Sequence, residues 1–281
     1  MKIGIFDSGL GGLIVTRAIQ KAMPEYDYVY LGDTKRVPYG NRSHAAVFEF
    51  TKQCVDYLFC KENCAIIIIA CNTASARALK KVQEEYLPKN FPNRKILGVL
   101  IPAAEEAAKF KRIGVLATQG TVYSEAFPKE IKKINRAKGR AGKETKTFQN
   151  SAPILVPLAE EGEIKNALPF LKKYLQPFAD KKLDALVLGC THYPIFKKEI
   201  KKIITTPNPS SERRGGNIKI ISQDEIIPKK LKNYFKRHPE IEKKLSKRRT
   251  SKILLTDVTQ NMVKLTRKWF GAKAKPKLIS L

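Results

Sequence analysis

The chain has 281 residues, 43% of them hydrophobic, and carries 54 Lys and Arg against 26 Asp and Glu for a formal net charge of +28. The apolar share excludes disorder throughout, and the length suits one large core or two modest ones. The longest aliphatic run, Ile66-Ile67-Ile68-Ile69, is far too short to span a bilayer. The opening residues Met1-Lys2-Ile3-Gly4-Ile5-Phe6 enter a strand-like segment with no signal-peptide pattern, so a soluble cytoplasmic protein without membrane association is expected.

In chain order, short apolar runs at 2–6, 28–31, 65–70, 95–99, 112–117, 185–188, 218–221 and 253–255 predict strands. Helical periodicity over 11–22, 44–60, 74–86, 160–175 and 261–270 predicts helices between most of them. This alternation is that of an α/β protein with a largely parallel sheet. Residues 205–216 are turn chemistry throughout and read as an exposed loop that marks a crossing between domains.

The charge is uneven. Residues 1–100 are net +5, whereas residues 197–252 alone are net +12, including Lys229-Lys230, Lys236-Arg237 and Lys247-Arg248-Arg249. Such a surface attracts anions, but no RNA-binding signature, finger spacing or basic-zipper heptad accompanies it, so solvated lysine-rich faces are expected rather than nucleic-acid binding. Five cysteines without scaffold or zinc spacing read as reduced thiols. Cys54 falls on the apolar face with Val47, Phe50, Tyr57 and Leu58 and reads as a small core residue. Cys60 and Cys64 lack adjacent histidines, and no metal site is expected.

Cys71 and Cys190 differ from these. Each follows a buried-strand pattern and precedes polar side chains, in Ala70-Cys71-Asn72-Thr73-Ala74-Ser75 and Leu188-Gly189-Cys190-Thr191-His192-Tyr193-Pro194. In open α/β sheets ligands bind outside the carboxyl ends of strands, which makes both thiols candidate reactive groups. A thiolate can take a proton from carbon where water is excluded and its charge balanced, and a second thiol can return one to the other face, inverting a stereocentre. His192 could tune Cys190, and Asp7 could tune Cys71. Their spacing of 119 residues suits one thiol in each of two similar lobes facing a cleft.

Two further turns complete the candidate site. Gly4-Ile5-Phe6-Asp7-Ser8-Gly9-Leu10-Gly11-Gly12 reads as strand, glycine-rich turn and helix, with backbone N–H groups that favour an anion. Asp7 disfavours phosphate, and a carboxylate ligand that also carries an ammonium group fits better; a packing turn with Asp7 as helix cap is the bland alternative. Asp33-Thr34-Lys35-Arg36-Val37-Pro38-Tyr39-Gly40 reads alone as an ordinary turn, yet it would offer a Tyr39 hydroxyl and a Gly40 N–H to a bound carboxylate.

With these residues in view, the chain resembles the glutamate racemase family. The resemblance rests on Phe6-Asp7-Ser8-Gly9-Leu10-Gly11-Gly12, Pro38-Tyr39-Gly40, the two cysteine motifs, Gly114-Val115-Leu116-Ala117-Thr118 and Leu255-Thr256-Asp257, in the family's order. It implies a cofactor-independent two-base racemase that interconverts L- and D-glutamate and supplies D-glutamate for peptidoglycan; the alternatives are a racemase of aspartate or another acidic amino acid, and a nucleic-acid-binding protein on a racemase-like scaffold. Cys71 would take the α-proton of D-glutamate and Cys190 that of L-glutamate, with Asp7, His192 and Glu160 as polar assistants. Glu161 and Glu163 lie close enough in sequence to compete with Glu160. Asp7, Ser8, Tyr39, Gly40, Asn72, Thr73, Thr191 and His192 match substrate-holding positions. The resemblance further implies two α/β lobes, 1–97 with 217–281 and 98–216, the active site in the cleft between them, and a homodimer. Ala152 stands where many members carry another cysteine, so the implied mechanism does not need that thiol.

Overall fold

The computed structural model describes residues 1–139, 145–205 and 218–281. Of the loop read at 205–216, residues 206–216 lie outside the described residues. The chain divides into two compact units, Met1–Val99 with Asp224–Leu281, and Leu100–Gln223.

In the first unit, strands β1 (Lys2–Asp7), β2 (Tyr28–Gly32), β3 (Cys64–Ile69) and β4 (Lys95–Gly98) form one sheet with two strands from late in the chain. In the second unit, β5 (Arg112–Ala117), β6 (Lys146–Ser151), β7 (Ala185–Gly189) and β8 (Lys219–Ile221) form another. The chain then returns to the first sheet with β9 (Ser251–Leu255) and β10 (Pro276–Leu278). Among the described residues the strand orders are β10-β9-β2-β1-β3-β4 and β6-β5-β7-β8. Every pairing is parallel. This is the expected α/β architecture of two helix-flanked parallel sheets.

The central strands are continuous apolar runs because both faces are covered. β3 is buried at all six residues, and β7 at all five. One core region of the first unit gathers Phe6, Leu31, Val47, Leu58 and Ile67; one in the second gathers Leu116, Leu155, Leu171, Leu188 and Phe196. Cys54 lies in the first of these as expected, and its burial pushes the thiol pKa well up. Cys64 is likewise buried, with its pKa pushed up to about 12 chiefly by desolvation, whereas Cys60 is exposed. Lys229, Lys232, Lys236, Arg237, Lys243, Lys244 and Lys247 to Arg249 are all exposed. Among the described residues no helix is long and apolar enough to cross a membrane.

Three helices depart from the sequence pattern. The periodicity at 44–60 is α-helical over His44–Asp56 and widens to a π-helical turn at Tyr57–Lys61. The one at 74–86 begins earlier, at Asn72, breaks at Ala78 and ends in a second π turn. The helix expected over 160–175 is two, Leu155–Glu160 and Leu168–Leu175. Gly162 at φ 76° is the cause: left-handed backbone ends the first helix, and Pro169 opens the second. Glu160 thereby becomes the last residue of a short helix.

Topology places the loops that matter. From β1 the chain crosses to β2 on one side and later returns to β3 on the other, so the loops after β1 and β3 diverge and leave a crevice at the carboxyl edge. The second unit repeats this around β5, with β6 on one side and β7 on the other. Close packing after β1 demands glycine at position 12. A Cβ there would sit 2.5 Å from Asp7 Cβ and 3.1 Å from the Tyr30 ring. Gly12→Ala is therefore expected to displace Asp7 and to cost about 1–3 kcal/mol of overpacking, seen as a lower denaturation midpoint.

Candidate active site

In the first unit, Asp7 ends β1 and is 1% exposed, and its Oδ1 accepts the Gly9 N–H at 2.9 Å. The carboxylate thus orders the glycine turn. Cys71 follows β3 at the N-cap of the helix Asn72–Arg77, where its Sγ accepts the Ala74 N–H at 3.4 Å. The thiol lies 3.3 Å from Ser8 Oγ, which joins the loops after β1 and β3 across the crevice. Asn72 and Thr73, both 2% exposed, form the first turn of that helix.

The turn at Tyr39–Asn41 is arranged differently from the reading of its sequence. Tyr39 is 1% exposed, and its hydroxyl donates to Asp33 Oδ2 at 2.5 Å. Its ring lies 6.2 Å from Phe6 and 5.5 Å from Phe50. The hydroxyl expected to meet a bound carboxylate is engaged with Asp33, which leaves the backbone of Tyr39 and Gly40 as what this turn can offer a ligand. Desolvation, reinforced by Cys54 and Asp33, drives the phenol pKa far upward, so Tyr39 is a neutral donor.

In the second unit, Cys190 follows β7, 5% exposed, with its Sγ 3.8 Å from His192 Nδ1. His192 Nε2 lies 2.9 Å from Glu160 Oε1. Of the three acidic residues in that stretch, Glu160 makes this contact, whereas Glu161 and Glu163 are exposed. Burial disfavours charge on the His192 ring, yet hydrogen bonds to Cys190 and Glu160 and their charges outweigh it and hold the imidazole pKa up to about 10. At neutral pH the ring is an imidazolium that donates from both nitrogens. Carboxylate, imidazolium and thiol thus form one chain, with the cation 3.8 Å from the Cys190 sulfur.

Two neighbouring residues, one an anchor of this turn and one a helix cap, carried no role in the sequence reading. Tyr193 is fully buried, and its hydroxyl lies 2.7 Å from the Ala152 carbonyl and 3.1 Å from that of Ala117, pinning the turn to the ends of β5 and β6. Thr118, just after β5, caps the helix Gln119–Tyr123 and meets Thr121 Oγ1 at 3.0 Å. Its signal was its position, a hydroxyl directly after a buried strand. Thr191, 3% exposed, lies between Cys190 and His192. Among the described residues, no three His, Cys, Asp or Glu side chains gather in a way that could hold a metal ion.

A buried thiol beside polar partners at the carboxyl edge of a parallel sheet, in each of two units, is the kind of site that proton-transfer enzymes carry. The family model described as Asp/Glu/Hydantoin racemase matches residues 4–209, and the chain belongs to that family. It is 38% identical to the glutamate racemase of Aquifex aeolicus, over 100% of this chain and 98% of that protein. Among solved structures it is similar to the glutamate racemase of Aquifex pyrophilus, with TM-score 0.75 and 35% identity over 99% of this chain and 98% of that one. It also resembles the Francisella tularensis glutamate racemase in complex with D-glutamate, with TM-score 0.84 and 29% identity over 99% and 97% of the two chains. The protein is thus an amino-acid racemase.

Proposed function

We propose that this racemase interconverts L- and D-glutamate by two-base proton transfer, without a cofactor, with Cys71 and Cys190 each addressing one face of the α-carbon. The observation that carries the reading is the matched pair of settings: Cys71 beside Ser8 after β3, and Cys190 beside His192 and Glu160 after β7. Cys71 takes the α-proton of D-glutamate and Cys190 that of L-glutamate, and the opposite thiol protonates the carbanion. Both thiols are 5% exposed, which limits competing water. Asp7 assists on the Cys71 side, and the His192–Glu160 pair on the other.

The substrate's ammonium group suits Asp7 and Ser8, and its carboxylates suit hydroxyl and N–H donors among Tyr39, Gly40, Asn72, Thr73, Thr191 and His192. In this reading the two lobes are the two units, 1–99 with 224–281 and 100–223; the second crossing falls after 223 rather than at 217 because β8 pairs with β7. The enzyme acts in the cytoplasm as a homodimer and supplies D-glutamate for peptidoglycan. Nucleic acid has no part in it. The test is polarimetry on purified protein with L-glutamate, with no cofactor added. Decay of rotation to zero is expected. Stable rotation with L-glutamate, together with racemisation of L-aspartate, would move the substrate to the shorter acid.

A further inference from the structure

Asp33 lies at the centre of a buried hydrogen-bond network in the first unit. It follows β2, is 0% exposed, and its backbone N–H donates to the Asp7 carbonyl at 3.0 Å. Its Oδ2 accepts from Tyr39 Oη at 2.5 Å and from Arg36 Nε at 2.6 Å, and its Oδ1 accepts from Thr256 Oγ1 at 2.9 Å. Arg36 supplies the counter-charge, stacks 4.3 Å over the Phe50 ring and reaches Gln53 Oε1 at 2.5 Å. A buried carboxylate survives only with such pairing, and here a cation and two hydroxyls satisfy it.

We propose that Asp33 is a positioning residue that sets the pose of the Tyr39–Gly40 turn for substrate; this rests on the reading that the turn holds glutamate. The turn's backbone is useful to a carboxylate only if its N–H groups are held at a fixed angle. Tyr39 gives the turn a rigid arm, and Asp33 holds the end of that arm. The same carboxylate grips Thr256 directly after β9, so the turn is referenced to the sheet through two strand exits. At the turn's far end the Arg42 carbonyl accepts from Arg77 Nη1, on the helix that Cys71 caps. Asparagine is a poor replacement for Asp33, because it removes the charge that pairs with Arg36, weakens the bonds from Tyr39 and Arg36, and forces the Thr256 hydroxyl to turn from donor to acceptor.

The test is steady-state racemisation of L-glutamate by the wild type, Asp33→Asn, Tyr39→Phe, the double variant and Thr256→Val. Hydrogen bonds to charged groups are strong enough that Asp33→Asn should raise KM about tenfold or more while kcat falls less than about threefold. Because Asp33 acts through the phenol, the double variant should be no worse than Asp33→Asn alone within about twofold. Should Asp33→Asn not fold, folded Thr256→Val and Tyr39→Phe carry the test, since each removes one donor and each should raise KM. Unchanged KM, multiplying effects in the double variant, or a loss confined to kcat would overturn the positioning role. A wild type inert toward glutamate would instead remove the substrate reading, and this inference with it.

Discussion

Replacing Cys71 or Cys190 with Ala is expected to abolish interconversion of glutamate enantiomers in both directions, because in the proposed mechanism each thiol is the base for one and the acid for the other. General acid–base groups contribute about 10²–10⁴-fold each, so turnover should drop by at least that factor. The fold should persist, because alanine removes one sulfur from each site while the strands that carry them, β3 and β7, keep their buried apolar side chains. The two variants should differ in what remains. Cys71→Ala keeps the base for L-glutamate and should exchange the α-proton of that enantiomer alone with solvent. Cys190→Ala should exchange D-glutamate alone. Mass spectrometry of each enantiomer incubated in deuterated buffer reads this directly. Near-normal racemisation by either variant would remove the two-base assignment.

The second large effect is expected at Glu160. Its contact with His192 helps hold the imidazolium, and a hydrogen bond to a charged partner contributes about 1.5–3 kcal/mol, roughly ten- to a hundredfold or slightly more in rate. Glu160→Gln should therefore reduce kcat/KM for L-glutamate by that factor and move the alkaline limb of the pH profile to lower pH. Stability should follow the same linkage. The folded-state pKa of His192 is raised from 6.5 to about 10, so between those values the folded protein holds a proton that the unfolded chain has released. That contribution is complete below pH 6.5 and is lost as pH rises toward 10. The thermal unfolding midpoint of the wild type should fall as pH rises across that window, and the dependence should flatten in His192→Asn. A midpoint that moves identically in both proteins would contradict the assigned imidazolium.

What was legible in the chain follows from where each segment sits. β1, β2, β3, β5 and β7 are covered on both faces and so appear as unbroken apolar runs. The edge strand β6, Lys-Thr-Phe-Gln-Asn-Ser, escaped notice because its pairing with β5 is made by backbone while its side chains are half-buried or exposed and mostly polar. β10 is an edge of the same kind, three residues long. The cysteines stood out because a thiol followed by amide, hydroxyl or imidazole groups is an unusual exit from a buried strand. Glu160 could not be told from Glu161 or Glu163 until Gly162 had ended the helix. The role of Asp33 was hidden for a different reason. Its partner Thr256 lies 223 residues away, a juxtaposition that the fold creates and no local spacing announces.

The central claim, two thiols working on opposite faces of one carbon, is tested most directly by the isotope content of both enantiomers early in a single reaction. Wild-type protein is incubated with L-glutamate in deuterated water, and the D- and L-pools are separated and weighed by mass at a few per cent conversion. The account predicts deuterium at the α-carbon of nearly all D-glutamate formed, with recovered L-glutamate still carrying hydrogen, because the proton leaves to one sulfur and the new one arrives from the other. Equal labelling of both pools, or D-glutamate that retains the original hydrogen, would mean that one group serves both faces and would contradict it.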